Sequence, residues 1–377
     1  MRILFVAPRF HTNQYELVKT LQEKKHEVFF HVAAIGTTED HSLLTPTRYK
    51  QSKFSLLIEK FRGQGGLNRK YYFPSFIYYY KELLKLKPDI VIIRNPYRFF
   101  SVVAAFCSLI ANKKIIFYTL EELFRFRTKK TVLKQNITMR FFKAAWMTPI
   151  LGNDDGKYVK LKHMYYIPMP MKVKSENQVI KNIPDEGPRI LMVGKYHQER
   201  KKHLLFIEAI NNLKSKCKFK VTIVGECIRE TQKVKFNIIQ ETIHRLGLSD
   251  VIDLRKGIPF SEMEKLYTSH HVFVLPAINE PYGVSVTEAL GYGLPVICTD
   301  TCGAKFNIRN GENGFVVKSN SIDELTTALE VLISNKENLC KMSERSFNYV
   351  RNNLSGNAFY TSFLHLVNER FRLQCSD

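Results

Sequence analysis

Two glutamates, Glu280 and Glu288, stand with seven residues between them inside V-F-V-L-P-A-I-N-E-P-Y-G-V-S-V-T-E-A-L-G-Y-G-L-P-V-I-C-T, residues 272–299. The stretch reads as strand, loop, helix, strand. Residues 272–275 form a short apolar run of the kind buried on both faces. Residues 276–283 form a loop with two prolines and a glycine. Ser285 is placed to cap a helix running to about Leu290, which Gly291, Gly293 and Pro295 stop. The first N–H groups of that helix, at Gly283, Val284 and Ser285, lie at its positive end and suit an anion. Gly283 lets the backbone come close to it. A carboxylate cannot share the anion's place, but on either side it accepts hydrogen bonds from hydroxyls. A phosphate flanked on both sides by hydroxylated rings is a nucleotide-sugar.

A second constellation lies upstream in V-G-K-Y-H-Q-E-R-K-K-H, residues 193–203. Lys195 follows Gly194 directly, and Lys201 comes six residues later at an expected helix start. A glycine turn after a buried strand, then cations near a helix N-terminus, makes a phosphate cradle.

The run N-E-P-Y-G-V-S-V-T-E-A-L-G-Y-G-L-P-V-I-C-T-D resembles the E-x7-E signature of family 4 of the retaining glycosyltransferases, which have the GT-B fold. The resemblance implies transfer of a hexosyl or related group from a UDP- or GDP-sugar to a hydroxyl of a glycan or lipid-linked acceptor. It implies retained anomeric configuration and a place in cell-surface polysaccharide synthesis. On that resemblance Lys195 and Lys201 hold the diphosphate, Glu288 the ribose, and Glu280 the donor-sugar hydroxyls at the reacting carbon. Glu280 as nucleophile and attack on the leaving-group face both stay open. Gly225, in Val224-Gly225-Glu226, resembles the end of the family's next strand. Gly257 and Ile258, in K-G-I-P, resemble the turn lining the nucleobase. Cys302-Gly303-Ala304 and Asn310-Gly311-Glu312-Asn313-Gly314 resemble two further family segments, the first without its usual glutamate. Two departures fall in the first half. Residues 8–13 lack the paired glycines often found after strand one, and Glu121 stands where the family often has a histidine.

No Asp-x-Asp occurs, and lysines can do a metal's charge work, so neither a divalent ion nor a cofactor besides the donor is expected. Seven cysteines, an odd number with no C-x-x-C, read as free thiols in a reducing cytoplasm. No G-x-G-x-x-G follows a strand, which argues against a dehydrogenase. An epimerase of the same architecture, or a nucleotide-sugar-binding protein without catalysis, remains the alternative.

The 377 residues carry a net charge of +22. The first 170 hold 29 Lys and Arg against 12 Asp and Glu, so the surplus is concentrated there. No nucleic-acid motif accompanies it. Basic runs interleaved with aromatics, at 50–61, 69–80 and 124–134, suit an anionic membrane surface. No secretory leader is visible, and the longest near-apolar run, 102–111, is too short to span a bilayer. A cytoplasmic protein, peripheral at the inner membrane face, is expected.

Strands alternate with helices along both halves, predicting α/β architecture with parallel, doubly wound sheets. The expected organisation is a Rossmann-like acceptor-binding domain at 1–170, a proline-rich connector at 171–188, and a Rossmann-like nucleotide-sugar domain at 189–355. A final helix at 356–377 would pack back on the first domain. The cleft between the two domains is the expected ligand site. Residues 36–70 read as a long irregular loop.

Overall fold

The computed structural model describes residues 1–373 apart from 37–39, 64, 65, 67, 154–160, 174–178, 180, 181, 228, 229, 260 and 261. Part of the expected connector, the end of the 356–377 segment and Cys375 fall outside the described residues. The chain divides into two units, residues 1–170 with 356–377, and residues 171–355.

The first unit is built on six parallel strands, β1 (Arg2–Ala7), β2 (Glu27–Val32), β3 (Ile90–Arg94), β4 (Lys114–Tyr118), β5 (Ala145–Thr148) and β6 (Met164–Tyr166). Their order is β2-β1-β3-β4-β5-β6. Successive side chains of a strand point to opposite faces. Ile3, Phe5 and Ala7 therefore enter one core while Leu4 and Val6 enter the other. Both faces must be covered, which is why these strands are apolar throughout. On one face lie α1 (Tyr15–Glu23) and the C-terminal helix α12 (Gly356–Phe371). Phe359, Phe363, Leu366 and Val367 of α12 share a core with Leu17, Val18 and Leu21 of α1. On the other lie α3 (Phe76–Leu86) and α4 (Phe99–Ile110), through Tyr79, Leu83, Ala104 and Cys107.

The stretch expected as an irregular loop holds a helix, α2 (Lys53–Arg62). Ser52 caps it, its hydroxyl accepting from the Ser55 N–H. The inward residues of α2 are Ser55 and Glu59, both polar, so no apolar inward face marked the helix in the sequence. A further helix of this unit, α5 (Lys129–Phe141), is capped by Thr128.

The second unit repeats the plan with β7 (Arg189–Val193), β8 (Lys220–Gly225), β9 (Ile252–Lys256), β10 (Val272–Leu275), β11 (Val296–Thr299) and β12 (Gly314–Val317), ordered β12-β11-β10-β7-β8-β9 and all parallel. Its helices are α6 (His203–Leu213), α7 (Glu230–Arg245), α8 (Met263–Thr268), α9 (Val284–Gly291), α10 (Ile322–Ser334) and α11 (Lys336–Asn353). Helix α8 has only six residues, too few for helical periodicity to stand out in the sequence. The fold class is as expected from the alternation: parallel sheets with helices on both faces.

Candidate active site

The chemistry-bearing residues of the second unit gather at the carboxyl ends of β7 and β10. The strand order reverses between these neighbours. In open parallel sheets the ground outside the carboxyl ends of the strands at such a reversal is where ligands bind.

Three glycines end three adjacent strands. The Gly194 N–H donates to the Val224 carbonyl at 2.8 Å, and the Gly257 N–H to the Gly225 carbonyl at 3.3 Å. A Cβ on Gly225 would lie 2.4 Å from the Gly194 oxygen and 2.8 Å from the Tyr196 ring, so only glycine fits. Gly257 is exposed and takes a left-handed φ of +69°, with the half-buried Ile258 beside it. The Gly194 carbonyl accepts from His203 Nε2 at 3.1 Å. Burial pulls the His203 pKa down to about 4, so this imidazole is neutral and its Nε2 carries the proton.

The two lysines of the cradle have different partners. Lys195 Nζ lies 2.5 Å from Glu226 Oε2, both partly exposed. Lys201 ends a short 3-10 turn over Glu199–Lys201 rather than starting a helix; Lys202 follows at φ +56° and α6 begins at His203. The turn aims Lys201 Nζ at Glu280 Oε2, at 2.6 Å. Arg200 Nη1 donates to the same oxygen, and its Nη2 donates to Gln198 Oε1 at 3.0 Å. The side chains of Lys201 and Glu280 are each 11% exposed, that of Arg200 37%. Backbone bonds fix the loop on both sides: the Ile278 N–H to the Arg200 carbonyl at 2.8 Å, and the Gly303 N–H to the Glu280 carbonyl at 3.0 Å. One carboxylate is thus held by two cations at the mouth of two strands.

Helix α9 starts two residues earlier than a cap at Ser285 would place it. Gly283 occupies the cap position at φ +88°, and no side chain caps the helix. The expectation that Ser285 is the cap is corrected: it sits in the first turn, with Val284 as the first helical residue. A Cβ on Gly283 would lie 2.7 Å from Cys302 Sγ, so the loop packs directly on the sulfur. Without a capping side chain, the leading N–H groups of α9 keep their donor capacity.

Glu288 is half-buried on α9 and is held separately. Tyr267 of α8 donates its hydroxyl to Glu288 Oε2 at 2.9 Å. The Tyr267 ring stacks on Tyr292 with centroids 5.0 Å apart. Burial raises the Glu288 pKa, and the bond from Tyr267 opposes that rise. Among the described residues no group of three His, Cys, Asp or Glu side chains is placed to hold a metal ion. A groove of about 700 Å³ borders the first residues of β7 and β8, at the opposite ends of these strands. Its cations are engaged locally, Arg255 with Asp253 and Lys220 with the Asp250 carbonyl.

Sequence reasoning did not foresee Arg200, Tyr267, His203 or the pairing of Lys195 with Glu226. Arg200 lies in the basic run E-R-K-K-H, where only the local turn decides which cation meets the glutamate. Nothing in the sequence marks Tyr267 as a partner of Glu288.

Residues 173–349 match the family described as Glycosyl transferases group 1. The match takes in just under half of the chain. The group 1 region contains every residue of the constellation just described. Similar curated proteins include an uncharacterized glycosyltransferase of Haemophilus influenzae, 30% identical over 26% of this chain and 30% of the relative. A D-inositol 3-phosphate glycosyltransferase of Paenarthrobacter aurescens is 26% identical over 42% of this chain and 38% of its own length. The chain therefore spans about a third of the length of these curated relatives. Solved structures cover nearly all of it. A Rickettsia africae glycosyltransferase superposes with TM-score 0.72 at 18% identity, covering 99% of both chains. Anabaena HepE in complex with UDP and glucose superposes with TM-score 0.70 at 14% identity, covering 98% of this chain and all of the other. The fold is therefore GT-B.

Proposed function

We propose that the protein transfers a glycosyl group from a nucleoside diphosphate sugar to an acceptor hydroxyl, with retention of configuration. The observation that carries this reading is the convergence of Lys201, Arg200 and Glu280 at the strand-order reversal, beside the uncapped start of α9. Breaking the bond between sugar and diphosphate develops negative charge on the leaving group. Lys195, Lys201 and the N–H groups of Gly283, Val284 and Ser285 stabilise that charge electrostatically. One such donor is worth roughly 3 kcal/mol of barrier. Glu288 accepts from the ribose hydroxyls with the oxygen that Tyr267 leaves open. Glu280 orients the donor-sugar hydroxyls at the reacting carbon. Gly194, Gly225, Gly257 and Ile258 shape the floor under the diphosphate and nucleobase.

The fully resident cations make a divalent ion unnecessary, and the donor is a UDP- or GDP-sugar. UDP in the similar Anabaena structure supports the first. The acceptor is a glycan or lipid-linked hydroxyl met by the basic first unit at the inner membrane face, in cell-surface polysaccharide synthesis. Calorimetric titration with UDP and GDP tests the donor half: binding to the native protein and loss in Glu288→Ala support it, and unchanged affinity in the variant overturns the ribose role.

A further inference from the structure

Helix α2 is turned inside out for a protein in water. Its inward residues are Ser55, fully buried, and Glu59. Ser55 Oγ donates to the Tyr71 carbonyl at 2.7 Å and accepts from the Phe73 N–H at 3.1 Å. Glu59 is gripped by both ends of a guanidinium: Arg69 Nε lies 3.1 Å from Oε1 and Nη2 2.6 Å from Oε2. Burial raises the Glu59 carboxyl, and the bonds from Arg69 and Gln51 outweigh that effect and hold it below the usual carboxylate range. The helix is thus fastened through its polar side.

Its outward side is apolar. Phe54, Leu57 and Phe61 are 64%, 49% and 79% exposed. With the half-buried Ile58 they sit at i, i+3, i+4 and i+7, one stripe of a helix. That stripe normally faces a core. Here it faces outward beside Lys53, Lys60 and Arg62, all exposed.

The apolar face does not stop at α2. The Phe54 ring meets Phe73 at 6.3 Å, and Phe73 stacks on Phe99 of α4 at 5.6 Å. Phe99, Val102, Phe106 and Ile110 form an exposed stripe along α4. Phe106 meets Phe141 of α5 at 5.8 Å, and α5 exposes Leu133, Ile137 and Phe141. Lys129, Lys130, Lys134 and Arg140 of α5 are exposed among them. Across α2, α4 and α5 the sequence contains a single carboxylate, Glu59, and it is spent on Arg69.

We propose that the α2–α4–α5 face seats the protein on an anionic phospholipid bilayer, with the Phe54–Leu57–Phe61 stripe of α2 inserted among the headgroups. An apolar stripe with cations at its edges and no exposed acid matches a surface that is anionic outside and apolar beneath. At ten residues α2 is about 15 Å long, too short to cross a bilayer and long enough to lie in its interface. A second copy of the chain fits poorly, because the same cations would face one another. The inference deepens the membrane-facing reading given above, and it does not depend on donor chemistry.

Flotation with phosphatidylglycerol–phosphatidylcholine vesicles tests it. The native protein floats with these vesicles, floats less in high salt, and stays down with phosphatidylcholine alone. Phe54→Ser/Leu57→Ser/Phe61→Ser loses about tenfold or more of its partitioning, as expected when three apolar side chains leave the interface. Lys53→Glu/Lys60→Glu, which keeps the apolar stripe, loses at least about fivefold per charge. This second variant serves should the first fail to fold. Native protein that does not float, or equal flotation of native and variant proteins, overturns the proposal. So does a native dimer in gel filtration that the triple substitution converts to monomer, which would make the face a self-contact. Donor turnover with water as acceptor, without vesicles, is read in parallel and stays at the native level in both variants. Loss of that turnover in native protein that still floats would sink the transferase reading and leave the docking face standing.

Discussion

Tyr267 reaches from α8 to α9 and donates its hydroxyl to Glu288 Oε2 at 2.9 Å. The bond orients the carboxylate and opposes the rise that burial imposes on its pKa. Tyr267→Phe should therefore weaken UDP binding about tenfold, the usual size for a lost bond to a charged group. The loss should deepen as pH falls, because a carboxyl with a further raised pKa is protonated sooner and loses acceptor capacity for the hydroxyls of the proposed ribose site. Calorimetry across the acid range checks both points; an affinity that ignores pH in the variant would count against the positioning role.

Lys201 and Arg200 share one oxygen of Glu280, but Lys201 is the more buried. Lys201→Ala should lower kcat/KM about a hundredfold or more, on the scale of a lost oxyanion donor. Arg200→Ala should cost less, because solvent screens the exposed cation. Equal effects, or a larger one at Arg200, would reverse the assignment of diphosphate contact between the two.

Gly225→Ala places a methyl 2.4 Å from the Gly194 carbonyl oxygen. The backbone must shift, at a cost of about 1–3 kcal/mol by analogy with overpacked sites. A lowered melting temperature together with weakened nucleotide binding is expected. Unchanged binding in a folded variant would separate this turn from the donor.

In the proposed reaction lysines meet the charge on the leaving group, so activity should survive EDTA. Complete loss restored by magnesium would overturn the metal-free proposal.

Four histidines are held neutral by burial: His31 has its pKa lowered to about 3, and His203, His270 and His271 to about 4. In the unfolded chain each takes a proton near pH 6.5. Stability from this source is therefore complete above about pH 6.5 and falls as pH drops towards about 4, by up to about 1.4 kcal/mol per pH unit for each group. His270 is a useful probe: its Nδ1 donates to the Leu266 carbonyl at 2.7 Å and its Nε2 accepts from Thr222 at 2.8 Å. Thermal melts of His270→Gln should show a shallower acid slope than the native protein.

The sheets were legible because their strands are covered on both faces and so read as unbroken apolar runs. Residues 272–275 end where the sequence reading ended them. The helix α2 was not legible, because a helix fastened by Ser55 and Glu59 carries the wrong residues inward. Gly194 and Lys201 could be read from their place after a strand, whereas Gly225 and Gly257 came only with the family resemblance. Arg200 could not, since three cations in a row differ only in the direction a single turn gives them. Ser285 illustrates a different limit: capping preference favours serine, but the backbone at Gly283 had already taken the cap position.

The core of the first unit is finished by Phe359, Phe363, Leu366 and Val367, which come from the far end of the chain. A ribosome releases those residues only after the whole of the second unit. The nascent first unit must wait with one flank of its sheet bare while some 185 intervening residues are synthesised. Chaperone dependence during translation should therefore be greatest for the half that emerges earliest, and a product cut before residue 356 should aggregate through that flank.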